Sequence, residues 1–231
     1  MSHYIKTIDL GLKEYKEAWE FQEKTHVSVL EQRNLEPSNG YAGTLILCEH
    51  PHVYTLGKSG QSNNLLVNDE FLAKINASYY QSNRGGDITY HGPGQIVGYP
   101  IFDLEKMKLG VKKYIYCLEE AIIMTLKNYR ISSKRLEGAT GVWLDDEKSG
   151  ERKICAIGVR VSKAVTMHGF ALNVNTDLNY FSHIYPCGFQ DKGITSMQKE
   201  LIKKLDLNEV MTNLKNSICN VFSLKTDNDI S

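Results

Sequence analysis

Arg84-Gly85-Gly86-Asp87-Ile88-Thr89-Tyr90-His91-Gly92-Pro93-Gly94-Gln95 is the stretch around which the chain is organised. Glycine loses the most backbone entropy on ordering, so glycines at 85, 86, 92 and 94 suit a loop rather than an element interior. Such a loop turns sharply or lies against a ligand. Arg84 and His91 bracket it with a fixed cation and a titratable ring. The apolar Ile96-Val97-Gly98-Tyr99-Pro100-Ile101-Phe102 follows and reads as a buried strand. A glycine-rich loop feeding a core strand predicts a pocket wall, with a tight surface turn as the plainer alternative. Gly92, Gly94 and Gly98 are spaced GxGxxxG with a strand after them, which excludes a dinucleotide-binding turn. Gly57-Lys58-Ser59 has the last letters of a phosphate-binding loop, but His52 stands where its first glycine belongs.

Composition narrows the class. At 231 residues, 42% of them hydrophobic, the chain suits one large domain or one domain with a small appendix. Lys plus Arg and Asp plus Glu balance at 27 each, so no global field points to nucleic acid or an anionic membrane. No apolar run approaches the length of a membrane span, and Met1-Ser2-His3-Tyr4 lacks a signal-peptide core. Five cysteines at wide spacing predict a reducing, cytoplasmic setting rather than a disulfide framework.

Outward from the glycine stretch, the patterning predicts a mixture of strands and helices. Leu12 to Glu36 reads as a helix, with Leu12, Tyr15, Trp19, His26 and Leu30 near one face. Thr44 to Cys48 is a strand, and Glu49 to Gly57 leads into a second extended piece. Cys48, His50 and His52 lack a second ligand pair at finger-like spacing, so no metal site is expected. Asn68 caps a short helix through Ile75, and Ala77 to Ser82 delivers the glycine loop as a strand. Val111 to Tyr129 is the clearest helix, striped by Tyr114, Leu118, Ile122, Thr125 and Tyr129. Ile131 to Glu137 and Gly141 to Leu144 are strands, and Asp145 to Gly150 is a polar turn. Arg152 to Val161 and Val165 to Val174 pair as antiparallel strands. Asn175 to Met197 is irregular, two helices follow from Gln198, and Thr226 to Ser231 frays. Strands and helices without regular βαβ alternation predict an α+β fold, a mixed sheet flanked by helices.

Two side chains invite chemistry. Cys187, between Pro186 and Gly188, is placed where a sulfur can be presented as a nucleophile. The alternative is a buried small hydrophobe, the expected fate of Cys48, Cys117, Cys155 and Cys219. A nucleophilic cysteine needs a group that lowers its pKa or takes its proton, and His91, His168, His183 and Lys153 are candidates. Lys153 opens an otherwise apolar strand. Its amine is either partly desolvated, with a lowered pKa, or held in water at a sheet edge.

Four blocks together resemble octanoyltransferases, the lipoate–protein ligase B family. They are Arg84 to Gln95, Lys153-Ile154-Cys155-Ala156-Ile157-Gly158, His168-Gly169-Phe170-Ala171-Leu172-Asn173 and Pro186-Cys187-Gly188. Glu49 to Gly57 is similar to a fifth block, and the resemblance runs from about Thr44 to Met197. It implies a single catalytic domain of the biotin/lipoate protein ligase fold over residues 1–231. It implies octanoyl transfer from octanoyl-acyl carrier protein to a lysine of lipoyl domains, those of 2-oxoacid dehydrogenase complexes and of the glycine cleavage H protein. The carry-over makes Cys187 the acyl-thioester nucleophile and Lys153 the residue that lowers its pKa. It lines the acyl pocket with Arg84, Gly85, Gly86, Asp87, Ile88, Thr89, Tyr90 and His91, with Ala156, Ile157 and Gly158, and with Gly169, Phe170 and Ala171. Cys155 stands where the family usually has a small inert residue, which puts a second thiol near the site.

The residues' own chemistry agrees. A thioester donor is already activated, so no nucleotide or other cofactor is expected. Gly158, Gly169 and Ala171 leave room for a straight alkyl chain, and backbone N–H groups near Gly85, Gly86 or Gly188 are candidates to hold an oxyanion. Three other functions use the same residues: an ATP-dependent lipoate–protein ligase, a cysteine thioesterase, and a non-catalytic acyl-binding module.

Overall fold

The computed structural model describes residues 3–146, 150–185 and 192–227. The apolar start is a strand, β1 (His3–Leu12), so helix α1 (Tyr15–Leu35) begins at Tyr15 rather than Leu12. Leu12 is spent on pairing with Glu49 of β2 (Tyr41–Glu49). A bidentate ion pair clamps the end of α1 to the sheet: Arg33 Nε and Nη2 donate to the Asp103 carboxylate at 2.6 and 2.9 Å.

Next come β3 (Val53–Leu56), helix α2 (Asp69–Lys74) and β4 (Ser78–Gln81). Asn68 caps α2 as expected, its Oδ1 accepting from Phe71 N at 3.0 Å. The glycine stretch is not loop throughout. Ile88–His91 forms β5, antiparallel to β3, and β6 (Gln95–Phe102) follows. Thr89 and Tyr90 carry strand character that the flanking glycines masked.

Helix α3 (Val111–Asn128) precedes β7 (Lys134–Leu136), β8 (Ala139–Asp146), β9 (Gly150–Ser162) and β10 (Val165–Asn173). The stretch Asn175 to Met197 holds a 3-10 turn (Leu178–His183) and a two-residue strand, β11 (Gly193–Ile194). Helices α4 (Met197–Leu201) and α5 (Leu207–Phe222) lead to β12 (Leu224–Thr226). Thr226 therefore does not fray; β12 runs parallel to β1.

The main sheet has the order β12-β1-β2-β6-β10-β9-β8-β7, with β11 added on β9. It is mixed: β12, β1 and β2 run parallel, and the ladders from β2 to β7 are antiparallel. A small second sheet has the order β4-β3-β5. Helices α3 and α5 cover one face, where Leu118, Ile122, Leu214 and Ile218 meet Leu45, Ile96, Ile154 and Leu172. Helix α1 covers the other, where Ala18 and Val29 meet Ile46, Val97, Tyr99 and Ala171. The small sheet has its own apolar cluster, of Tyr54, Leu56, Leu72, Ile88, Tyr90 and Ile184. This α+β architecture is the expected fold class. No helix among the described residues is long and apolar enough to cross a membrane.

Candidate active site

A cavity of about 350 Å³ lies on the α1 face, between the main sheet and the small sheet, a size suited to a small ligand. Val97, Ala156, Ile157 and Ala171 supply apolar wall from the main sheet, and Ile88 of the small-sheet cluster adds to the lining at the start of β5.

The Arg84 loop is pressed onto its neighbours at two glycines. A Cβ on Gly57 would sit 2.2 Å from Gly86 O, and one on Gly158 would sit 2.8 Å from Gly85 O. Only glycine permits backbones this close. Gly86 itself has φ +84°, the left-handed region that turns the loop. Arg84 is 8% exposed. Its Nη2 donates to Thr55 O at 2.6 Å, Nη1 to Gly85 O at 3.0 Å and Nε to Thr55 Oγ1 at 3.3 Å. Burial pulls its pKa down, but a guanidinium stays charged, so a fixed cation faces the cavity.

His91 sits at the end of β5 with its Nδ1 donating to Gln95 Oε1 at 2.8 Å. Its Nε2 is then the acceptor for the Thr55 hydroxyl, at 3.3 Å. Burial, with His50 and Arg84 nearby, drives its pKa down to about 3, so the ring is neutral. His168 interrupts β10 with φ +56°. Its Nε2 donates to Asn83 Oδ1 at 2.7 Å, and burial likewise takes its pKa to about 3.

Lys153 reaches the cavity through a β-bulge. Trp143 pairs with Lys153 while Val142 pairs with Cys155, so Ile154 is an extra residue on β9. One extra residue reverses the alternation of side chains. Ile154 and Cys155 both enter the core under α3 and α5, while Lys153 lines the cavity with Ala156 and Gly158. Lys153 Nζ lies 4.6 Å from the centre of the Trp143 ring. Desolvation by burial lowers its pKa, the direction expected of the partly desolvated reading. Cys155 is fully buried, and burial pushes its thiol pKa far up. A second reactive thiol at this position is not what the geometry provides.

Of the expected pocket residues, Arg84, Gly86, Asp87, Ile88, Thr89, His91, Ala156, Ile157, Gly158, Gly169, Phe170 and Ala171 line the cavity. Two do not. Tyr90 points into the small-sheet cluster, where its hydroxyl meets His52 Nδ1 at 2.7 Å. Gly85 gives its N–H to Val159 O at 2.9 Å, which removes it as an oxyanion donor. The direction of Gly169 also differs from expectation. A Cβ there would lie 2.1 Å from Gly98 O, in the backbone of β6. Cys187 lies outside the described residues, as do Pro186 and Gly188. The chain on either side of them is placed: Ile184 lines the cavity, and so does Ile194, which pairs with Lys153.

Sequence reasoning missed Tyr15, Tyr99, Thr140, Asn173 and Phe181 as cavity residues. Tyr15 stood on a helical stripe that also serves the core, and Asn173 closed the third block quoted above. Thr140 carried no signal. Among Cys48, His50 and His52, where no metal site is expected, His50 Nδ1 meets Lys13 O at 2.5 Å and its Nε2 meets the Tyr99 hydroxyl at 2.7 Å. His52 faces the other sheet, so the three side chains do not converge.

Comparison with known proteins places this geometry in a family. Residues 14–219 match the model of the lipoyl protein ligase A/B catalytic domain. An octanoyltransferase of Bacteroides fragilis is 53% identical over 208 residues, covering 90% of this chain and 93% of that protein. One from Flavobacterium johnsoniae is 49% identical over 227 residues, covering 96% and 98%. Among solved structures, the bipartite lipoate protein ligase of Thermoplasma acidophilum superposes with a TM-score of 0.71 at 15% identity, covering 97% of this chain and 86% of that one. Lipoate-protein ligase A bound with ATP gives 0.69 at 13% identity, covering 98% and 89%. These two likenesses speak to the fold alone. With its mixed sheet, its apolar cavity and half its residues shared with octanoyltransferases over nearly the whole chain, the protein belongs to the lipoyl protein ligase A/B catalytic domain family, among the acyltransferases that carry octanoyl groups.

Proposed function

We propose that this chain, as a single catalytic domain working in the cytoplasm, transfers octanoyl from octanoyl-acyl carrier protein to a lysine of lipoyl domains through a thioester on Cys187. One observation carries the reading: a mainly apolar cavity has the desolvated Lys153 amine in its wall, beside the strand that follows Cys187. Cys187 comes three residues after Ile184, a chain reach of at most ~11 Å.

The Cys187 thiolate, stabilised by the Lys153 ammonium, attacks the carbonyl of the donor thioester. A new C–S bond forms, the carrier's C–S bond breaks, and the departing thiolate takes a proton from Lys153. The acceptor lysine then gives one proton to the neutral Lys153 amine and attacks the Cys187 thioester. An amide forms, its second proton passes to solvent, and the Cys187 thiolate is restored. Thiolate and ammonium titrate as one coupled pair. The donor arrives activated, so no nucleotide enters.

Intact-mass analysis after incubation with octanoyl carrier protein, in nucleotide-free buffer, tests this. The expected result is one octanoyl group on Cys187, chased onto an added lipoyl domain. A strict ATP requirement with free octanoate preferred would make the chain a ligase. Release of free acid without an acceptor would make it a thioesterase.

A further inference from the structure

The inner end of the cavity is polar. Five of the seven buried side-chain atoms without a hydrogen-bond partner among the described residues lie in its wall or on residues packed behind it: Tyr15 Oη and His168 Nδ1 in the wall, and Trp19 Nε1, Gln22 Nε2 and Ser82 Oγ on their neighbours. Their neighbourhood is tight. The rings of Tyr15 and Trp19 are 6.0 Å apart, and those of Trp19 and His168 are 5.8 Å apart. Gln22 Oε1 accepts from His168 N at 3.0 Å. Ser82 neighbours the Tyr15 hydroxyl closely enough to lower its pKa as a hydrogen-bonding group, though the geometry falls short of a full bond. Tyr15 and His168 are 2% and 1% exposed, and both line the acyl cavity. Buried polar groups are normally paired, so a cluster of orphans calls for a polar occupant.

The chemistry of that occupant follows from the donors. With Nε2 of His168 donating to Asn83, Nδ1 is a bare acceptor. Burial keeps the ring neutral, so it stays an acceptor at neutral pH. Tyr15 offers a hydroxyl that gives or takes, with the Ser82 hydroxyl and the N–H groups of Trp19 and Gln22 in the layer behind it. An acceptor among hydroxyls and N–H donors fits a group that both donates and accepts, a hydroxyl. The left-handed φ of His168 is the strained feature that brings its ring to this side of the sheet.

Position along the cavity decides what the subsite meets. His168 stands opposite Val159, and Lys153 lies beyond the Leu172–Cys155 pair at the other end of the same ladder. About five strand steps separate the two levels, ~17 Å. The lysine and histidine side chains occupy part of that span. What remains suits an extended eight-carbon chain, ~9 Å from its bond lengths.

We propose that Tyr15 and His168 form a hydroxyl-binding subsite at the far end of the acyl cavity. It holds water against the last carbon of an octanoyl chain, and it accepts in place of that water the terminal hydroxyl of an ω-hydroxyoctanoyl chain. The assignment rests on the acyl-transfer reading above. A longer alkyl chain must strip this water and leave the polar atoms unpaired, so the same subsite sets the chain-length limit.

The test compares transfer to a lipoyl domain from carrier protein loaded with octanoyl, decanoyl or 8-hydroxyoctanoyl. Octanoyl transfer by the wild type is the control, and its failure would sink the acyl-transfer reading rather than the subsite. With the control active, 8-hydroxyoctanoyl should transfer with kcat/KM within about 10-fold of octanoyl, and decanoyl should fall below both. Tyr15→Phe should lower the ratio of 8-hydroxyoctanoyl to octanoyl kcat/KM by about 5- to 10-fold, the worth of one hydrogen bond. Ser82→Ala should move the ratio the same way. Hydroxyoctanoyl transfer 100-fold or more below octanoyl, or a ratio unmoved in both variants, would overturn the subsite.

Discussion

The Lys153 ammonium lies 4.6 Å from the centre of the Trp143 ring, on the cavity side of the sheet, while Cys155 two residues later is buried on the opposite side. A lysine and a cysteine two apart on a regular strand would share a face. The extra residue at Ile154 separates them, and with them two chemistries: a cation for the site and an inert thiol for the core.

Cys155→Ala should therefore keep octanoyl transfer and keep the adduct on Cys187. Its cost falls on stability, about 1–2 kcal/mol for the sulfur removed from a packed position. Peptide mapping of the acylated variant and a urea melt read the two effects separately. An adduct lost along with Cys155 would contradict the bulge argument.

Gly169 tests the sheet rather than the alkyl chain. Because a Cβ would run into Gly98 O and Pro100 Cδ, at 2.1 and 2.6 Å, Gly169→Ala should destabilise by about 1–3 kcal/mol or more. The expected signature is a lower Tm with chain-length preference unchanged in the folded fraction. Gly57→Ala, whose Cβ meets Gly86 O, should instead shift the Arg84 loop and raise KM for the acyl donor.

Acid should unfold the protein through its histidines. Burial depresses the folded-state pKa of His50 to about 4 and of His91 and His168 to about 3, against 6.5 when unfolded. The unfolded chain thus binds protons that the folded one refuses. Stability from this source is complete above pH 6.5 and is lost as pH falls from there toward 4 and 3. The slope approaches ~1.4 kcal/mol per pH unit for each ring, roughly 4 for the three. Urea midpoints between pH 7 and 4.5 should fall accordingly, and His50→Gln should flatten the decline by about a third. A midpoint constant over that range would show that these rings are not held neutral.

Much of this was legible in the letters because periodicity and glycine placement are local signals. The stripe of α3, the β9–β10 pair and the cap at Asn68 each follow from a few adjacent residues. Close approach at the Arg84 loop was legible as a need for glycine, without saying that Gly57 and Gly158 were what it approached. Strands β1 and β12 were not legible, because their pairing joins residues from opposite ends of the chain. The bulge at Ile154 was hidden too, since only the partner strand reveals an extra residue. Tyr90 and Gly85 were carried into the pocket by their neighbours in a motif. Alternation along β5 sends Tyr90 to the other face, and a backbone hydrogen bond occupies Gly85.

Lys153 has two separable duties in the proposed transfer. As an ammonium it stabilises the Cys187 thiolate, and as an amine it takes a proton from the acceptor lysine, which cannot attack while charged. Burial lowers its pKa, which eases release of the proton. Arginine supplies the first duty and not the second, because a guanidinium does not release its proton near neutrality. Lys153→Arg should therefore keep part of the Cys187 acylation and lose most transfer to the lipoyl domain. Lys153→Met should lose both. General acid–base assistance is worth about 10²–10⁴-fold, so a single-turnover chase of pre-acylated enzyme should show the second-step defect plainly. The stacking of Lys153 on Trp143 favours the arginine variant as a test, since a planar guanidinium also lies well on an indole face. Chase at the wild-type rate in Lys153→Arg would mean that the lysine supplies charge alone. The proton would then have to leave by a route other than this side chain.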